Sequence, residues 1–288
     1  LLDDVWALVA DVEAPEHVVA VADAWLDYAL VYLQPTHVDR MLETVLARVT
    51  VDRAYEQLQA HLVSITSKIM GAYERDFARV FGMHNFLPLL DLFQDDSQIE
   101  ACRTILYAFM RQHELMSDAM IVTSMISIGK TVHDSLNTLS FEDDVRRSTR
   151  ALCDFIAKID FGRDVERQLN FYVECRSAFG NFDNVKRELI LGVARLAMRT
   201  RAIARGRHSR KTAAFVRACI AYMYVTIPAM DAALPRLRLY RLAVRVALLN
   251  QCVPQAGDLL KAAITLVGEV APFRADGVSA RDAALAAT

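Results

Sequence analysis

The chain has 288 residues, 54% of them hydrophobic, and a formal net charge of −2. This length supports a large apolar core, and 10 Gly and 7 Pro leave few turn-forming positions, so we expect helices joined by short links. The longest uncharged run that we find, Ala218 to Met230, is shorter than the ~20 residues of a membrane-spanning helix. It therefore favours a buried helix over a transmembrane one.

Apolar residues recur at helical spacing, and capping residues divide the chain into helices. The segment 74–93, which holds Gly82 and Pro88, is predicted to be irregular. The predicted helices cover residues 15–33, 36–49, 52–73, 97–113, 117–137, 140–160, 164–179, 184–205, 209–228, 235–251 and 254–267.

Small polar residues and one glycine are predicted to mark helix ends. Ser117, Ser140 and Ser209 are expected to cap helix N-termini, with Asp143 placed to bond back to the Ser140 cap. Gly206 suits the position just after a helix C-terminus. In the helix after Ser209, one apolar face is predicted to be buried; it comprises Val216, Cys219, Ile220, Met223, Tyr224 and Ile227.

Helix pairs are predicted to begin near residues 97, 140, 184 and 231, at steps of 43, 44 and 47 residues. Pairs recurring at this spacing are typical of HEAT-like solenoids. The predicted fold class is therefore all-α, an α-solenoid of antiparallel helix pairs with a repeat of about 43–47 residues. We expect one continuous solenoid over residues 1–270, as a fragment of a longer chain, and a weakly structured or truncated tail over 271–288.

Charge is distributed unevenly. Between residues 189 and 257 the only acidic residue is Asp231, whereas twelve residues are basic, giving this stretch a net charge of +11 against −13 for the rest. We call these twelve, which run from Arg195 to Arg245, the basic belt. The belt predicts an anionic partner. An acidic protein surface, anionic lipid headgroups and a merely solvated outer face stay open as interpretations.

Nucleic acid is the alternative partner for the basic belt. A sequence-tolerant nucleic-acid surface adds aromatic stacking groups to the basic ones. The nearby aromatic residues lie among apolar neighbours and are expected to be mostly core; they are Phe215, Tyr222, Tyr224 and Tyr240. This arrangement weakens the alternative, a helical-repeat nucleic-acid-binding protein using residues 195–245.

Catalytic and metal-binding patterns do not emerge from the sequence. The seven histidines are scattered, with no two at a spacing of four on one helix, so we predict neither a zinc site nor a cofactor. His133 and Asp134 are sequence neighbours and are not expected to face each other. The five cysteines are predicted to be reduced core residues. The predicted protein is not an enzyme.

Several long segments resemble one known family, the large α-solenoid subunit of the retriever complex, a relative of the retromer large subunit. The matching runs include FGRDVERQLNFYVECRSAF from Phe161, RLAMRTRAIARGRHSRKTAAFVRACIAYMYVTIP to Pro228 and LYRLAVRVALLNQCVPQAGDLLKAAITLV to Val267. KTVHDSLNTLSFEDD from Lys130 and FLPLLDLF from Phe86 match the same family. The resemblance covers residues 84–270.

The resemblance implies a non-enzymatic scaffold on the cytosolic face of endosomes, acting in the return of membrane proteins to the cell surface. Its implied partners are a small metallophosphoesterase-fold subunit, cradled by the C-terminal half of the solenoid, and an arrestin-like subunit. Coiled-coil and copper-metabolism-domain proteins of the larger commander assembly and a sorting-nexin cargo adaptor are implied as well.

Candidate partner-binding residues lie at two predicted links between helices and just beyond the second. Arg163 is the one member of its link without a structural role, and the HSRKTAAF run projects its polar residues from a turn. For His208 the alternative, that it only organises the turn, stays open. The candidate set is Arg163, Arg207, His208, Arg210, Lys211 and Arg217.

Overall fold

The computed structural model describes residues 6–9, 11–137 and 140–274, with side chains to residue 268. Its residues cluster into two compact units, Leu1–Asp160 and Phe161–Thr288. Each unit is built of helices packed on their neighbours in the chain, so the all-α solenoid class is confirmed. That one solenoid runs without interruption through residues 1–270 stays a prediction.

Unit 1 consists of α-helices, and residues 6–9 are helical as well. The helices with defined bounds are α1 (Pro15–Tyr32), α2 (Pro35–Val49), α3 (Gln59–Ala72), α4 (Phe77–Phe81), α5 (Phe86–Leu90), α6 (Asp95–Arg111), α7 (Ala119–Ser135) and α8 (Glu142–Lys158). Helix α1 packs on α2 and α3, and α6 packs on α3, α7 and α8.

Unit 2 holds five α-helices within the part of the chain that the structure describes. Helix α10 packs on α9, α11 and α12, and α12 packs on α13. The helices are α9 (Val165–Ala178), α10 (Asp183–Ile203), α11 (Arg210–Thr226), α12 (Ala233–Leu249) and α13 (Val253–Arg274).

Hydrogen bonds between successive pairs show the repeat directly. In unit 1, Ser64 bonds Asp23 across 41 residues. In unit 2, Lys186 bonds the Ala229 carbonyl across 43 residues, and Tyr222 bonds the Tyr172 carbonyl across 50. Neighbouring repeats therefore meet at separations of 41 to 50 residues, a wider spread around the predicted period of about 43–47 residues.

Helix α11 contains a long apolar stretch. Its stretch Arg210–Ala229 is, among the described residues, the one helical segment long and apolar enough to cross a membrane, yet only 39% of its most apolar window is buried. The expected face is largely correct, because Val216, Cys219, Ile220 and Met223 are buried. Tyr224 was wrongly assigned to it, since its side chain is 46% exposed.

Several predicted helix ends differ in the structure. Asp118, rather than Ser117, caps α7, and Phe141 takes the N-cap position of α8 without a side-chain bond, while Ser140 accepts from the Asn137 N–H. Ser209 does cap α11, through a 3.2 Å bond from the Thr212 N–H. The observed helix bounds depend on the hydrogen bonds that the flanking residues make, so they differ from the predicted bounds.

Left-handed backbone accounts for two further differences. Arg205, with φ 49°, stands just after α10, where Gly206 was predicted, and Gly206 follows it with φ 75°. The predicted helix from residue 52 begins later, at Gln59, because Asp52 and Arg53 adopt left-handed angles in a 3₁₀ turn.

Two segments are more helical than predicted. The irregular stretch 74–93 contains the short helices α4 and α5. The last helix, α13, continues to Arg274, into the segment predicted as a tail. The remainder of that tail, residues 275–288, lies outside the described residues.

Candidate partner-binding surface

Three links of unit 2 are tied together at one edge. We call this edge, with the first two residues of α11, the link edge; it comprises residues 161–164, 204–211 and 250–252. The Arg199 guanidinium donates to the Gly162 carbonyl, and the Arg201 guanidinium donates to the Leu249 carbonyl. A carbonyl at a helix end or link has no helical partner, so an arginine that reaches it from the neighbouring repeat satisfies it. Two members of the basic belt therefore fix the links in place.

His208 connects two links of this edge through a hydrogen bond. Its Nε2 lies 3.0 Å from Oδ1 of Asn250, whose Nδ2 donates to the Val246 carbonyl at 2.7 Å. Because Asn250 Oδ1 can only accept, His208 donates through Nε2. Its Nδ1 is buried without a partner in the described part of the chain. His208 thus organises its link by joining two repeats, and its role as a partner contact stays a prediction.

The other candidate residues of the link edge are exposed. Lys211 forms an ion pair with Glu166 at 3.0 Å, with its side chain 81% exposed, so the pair contributes little stability. The side chains of Arg163, Arg207 and Arg210 are exposed and make no hydrogen bond or ion pair with any described residue. These three charges are free to meet an external anion.

Arg217 lies elsewhere, on the outward side of α11. It lines a shallow groove between α11 and α13, together with Ala221, Val225 and Asp258. Burial raises the pKa of the Cys252 thiol, and the positive charge of Arg217 opposes that rise. The structure thus divides the candidate set into a link edge and a helix face.

The outward face of α11 is apolar. At i, i+4, i+7 and i+11 it presents small aliphatic side chains that are all exposed; they are Ala214, Ala218, Ala221 and Val225. We call these four residues the alanine face. Arg217 and Tyr224 flank it on one side. A helix that is hydrophobic all round is ordinarily buried, so the exposure of this apolar face of α11 is unusual.

The corresponding helices of earlier pairs have mostly polar outward faces. Helix α7 exposes Thr123, Ser127 and Lys130, and α9 exposes Asn170 and Glu174 beside a single valine, Val173. The apolar exposure of α11 is therefore a local property and does not follow from the repeat itself. Exposed apolar patches with a polar rim mark interaction sites.

The aromatic residues of the basic belt do not form a stacking surface. Tyr222 and Tyr240 are buried, and Phe215 is half-buried. Burial also raises the pKa of Tyr222, whose hydroxyl donates to the Tyr172 carbonyl. Tyr224 alone of the four is exposed, so the arrangement gives the nucleic-acid alternative no support.

The cysteines and histidines match the expectations in part. All five cysteines are free thiols, and four are buried while Cys153 is half-buried, as predicted. The expectation for His133 and Asp134 was wrong, because His133 Nδ1 lies 2.8 Å from Asp134 Oδ1 near the end of α7. Among residues 6–9, 11–137 and 140–274, no three His, Cys, Asp or Glu side chains are grouped to hold a metal ion.

Helix pairs with ties one repeat apart define a helical-repeat protein of the α-solenoid class. Comparison with known families narrows the class: the chain belongs to the VPS35L C-terminal domain family, which matches residues 1–280. The family predicted from the sequence is thereby confirmed.

Curated relatives agree with this membership. A protein of Dictyostelium discoideum named VPS35 endosomal protein sorting factor-like is 43% identical over 273 residues, which are 95% of this chain and 28% of that protein. The proteins of Mus musculus and Homo sapiens named VPS35 endosomal protein-sorting factor-like are each 42% identical over 272 residues, 94% of this chain and 28% of theirs. The chain thus spans just over a quarter of the length of these relatives.

Sequence reasoning missed the alanine face. It took α11 for an ordinary buried helix, because an apolar stripe was enough to explain the hydrophobicity. The missed signal was on the opposite side of the helix. There Ala214, Ala218 and Ala221 occupy positions that are polar in an ordinary surface helix.

Proposed function

We propose that the chain is a non-enzymatic scaffold segment of an endosomal cargo-recycling complex of the retriever type. In this role the alanine face of α11 holds the metallophosphoesterase-fold small subunit and thereby supports the return of membrane proteins from endosomes to the plasma membrane. The observation that carries the proposal is that Arg210–Ala229, the one described helical segment apolar enough to cross a membrane, is only 39% buried over its apolar core and leaves the alanine face exposed.

The physical argument concerns what can cover such a face. Small side chains at Ala214, Ala218 and Ala221 allow close approach of a flat, apolar surface, and Val225 extends the patch along the helix. The adjacent Arg217 offers a charge that is unpaired among the described residues and would orient the partner through a carboxylate. A compact protein subunit supplies both features, whereas a small ligand would leave most of the face in water.

The remaining members of the proposed complex contact other parts of the assembly. They are the arrestin-like subunit, the coiled-coil and copper-metabolism-domain proteins of the commander assembly, and the sorting-nexin adaptor that brings cargo. The names of the relatives, endosomal protein-sorting factors, support an endosomal setting for this role. We place the chain in the cytoplasm, peripherally on endosomes.

Substitution at the centre of the alanine face tests the proposal. Ala218→Glu puts a carboxylate on an exposed helix position, so stability should change by no more than about 0.5 kcal/mol. In the complex the same carboxylate would be buried without a partner, and we expect capture of the phosphoesterase-fold subunit to fall at least about tenfold. Capture is measured by mass spectrometry after affinity purification of the tagged chain.

Ser127→Glu is the matched control, because Ser127 is exposed on the outward face of α7 and the variant adds the same charge. It should capture the subunit as the unmodified chain does. Equal capture by Ala218→Glu and Ser127→Glu, with helicity unchanged in both, would contradict the assignment of the alanine face.

A further inference from the structure

The link edge combines two kinds of side chain. Besides Arg163, Arg207 and Arg210, the exposed Arg205 has no bonded partner among the described residues. The acidic residues nearby are engaged: Asp164 caps α9 through the Arg167 N–H, and Glu166 pairs with Lys211. The edge therefore has an excess of uncompensated positive charge.

Exposed aliphatic side chains stand at the same helix ends. Ile203 at the end of α10 is 58% exposed, Leu249 at the end of α12 is 46% exposed and Val253 at the start of α13 is 63% exposed. They flank the links that hold the free arginines. Basic and aliphatic groups are thus interleaved along one edge.

The edge is held together before any partner arrives. The Arg201 bond to the Leu249 carbonyl and the His208 bond to Asn250 join the second link to the third. The Arg199 bond to the Gly162 carbonyl joins the first link to α10. A surface organised in this way loses little conformational freedom on binding.

We propose that the link edge docks on an anionic lipid bilayer. The free arginines contact headgroup phosphates, while Ile203, Leu249 and Val253 enter the boundary between headgroups and acyl chains. The proposal rests on the peripheral endosomal role proposed above and assigns to it a surface separate from the alanine face.

The interleaving favours a membrane over an acidic protein segment. Clusters of four to eight basic residues beside a membrane bind anionic lipids, and aliphatic side chains between them add apolar burial at the interface. An acidic polypeptide would use the charges and leave the aliphatic groups in water. The two partners therefore differ in how strongly they depend on Ile203 and Val253.

Vesicle flotation with the full chain tests the proposal, using phosphatidylcholine vesicles with and without phosphatidylserine. We expect binding only to the phosphatidylserine vesicles. The double variant Arg205→Glu with Arg207→Glu should lower partitioning by at least about tenfold, since each basic residue near an anionic surface contributes about fivefold. Arg238→Glu with Arg241→Glu on the outward face of α12 changes the charge equally and should lower it by less than about threefold.

A second double variant distinguishes membrane binding from binding to an acidic protein. Ile203→Ser with Val253→Ser keeps every charge and alters exposed positions, so the fold should be retained. Vesicle partitioning should fall several-fold, and binding to polyglutamate should not change.

Three results would overturn the membrane assignment. They are equal losses in the two charge variants, absence of binding to phosphatidylserine vesicles, and retention of full vesicle binding by the serine variants. Binding to polyglutamate alone would assign the edge to an acidic protein instead. Because Ala218→Glu should leave vesicle binding intact, failure of subunit capture and failure of membrane docking are distinguishable.

Discussion

His208 Nε2 donates a 3.0 Å hydrogen bond to Asn250 Oδ1 across 42 residues, one repeat of the solenoid. The bond ties the link before α11 to the link after α12. His208, which the sequence suggested as a partner contact, therefore also helps to fix the links that carry the free arginines.

Removing this acceptor should destabilise the chain. Asn250 is 4% exposed, so Asn250→Ala leaves the His208 N–H without its acceptor and removes the side-chain hydrogen bond to the Val246 carbonyl, which keeps its bond from the backbone N–H of residue 250. We expect the free energy of unfolding in urea to fall by about 1–3 kcal/mol. Asn170→Ala on the exposed face of α9 should change it by less than about 0.5 kcal/mol. Equal effects of the two substitutions would contradict a stabilising role for the His208–Asn250 hydrogen bond.

A glycine in α10 permits close packing against α9. A Cβ at Gly192 would lie 2.7 Å from Cζ of Tyr172, which is nearer than a carbon can approach. We expect Gly192→Ala to destabilise by about 1–3 kcal/mol in thermal unfolding. Gly257→Ala in α13 meets nothing within 4 Å and should stabilise by up to about 1 kcal/mol. Stabilisation by both variants would show that the α9–α10 contact is looser than described.

Asp183 should make stability dependent on pH in acid. Burial raises its pKa, but hydrogen bonds from the Ala232 N–H, the Lys186 ammonium and the Asp231 N–H outweigh that effect, so the pKa lies below the ordinary 3.8. A carboxylate with a lowered pKa contributes stability above the unfolded-state value of 3.8, and that contribution is lost as pH falls through the lower folded-state value.

The comparison is between the unmodified chain and Asp183→Asn, unfolded in urea from neutral pH to pH ~3. The variant should be less stable near neutrality, and the gap should close as the solution becomes acidic. Asp258→Asn, which alters a side chain 62% exposed, should run parallel to the unmodified chain. A gap that stays constant down to the acidic limit would rule out this contribution of Asp183.

Cysteine labelling should follow burial. Burial raises the pKa of the Cys219 thiol to about 12 and that of Cys102 to about 11, so both stay protonated at neutral pH. The thiolate is the reactive form, and we expect iodoacetamide to label half-buried Cys153 first. In urea all five should react alike. Rapid labelling of Cys219 in the native chain would show that α11 separates readily from its neighbours.

Local chemistry made most of the fold predictable. Asp164 and Ser209 cap α9 and α11 as expected, since an oxygen acceptor before an apolar period leaves few alternatives. Ser140 failed in the same role, because its hydroxyl accepts from Asn137 and Phe141 stands at the N-cap. A cap depends on backbone geometry as well as on residue type.

The candidate site was less predictable than the fold. Arg163, Arg207 and Arg210 could be selected because charges at links are usually exposed. Arg199 and Arg201 look the same in the sequence but bond carbonyls of neighbouring links, a choice made by contacts across a whole repeat. The alanine face depended on knowing that this side of α11 is exposed among the described residues, which only packing reveals.

The most direct test of the central claim is crosslinking from the alanine face within the assembled complex. A photo-reactive amino acid at Ala221 should crosslink to the metallophosphoesterase-fold subunit, because Ala221 is exposed at the middle of the face. The same group at Ser127 on α7 should not. A crosslink at Ser127 with none at Ala221 would contradict the account.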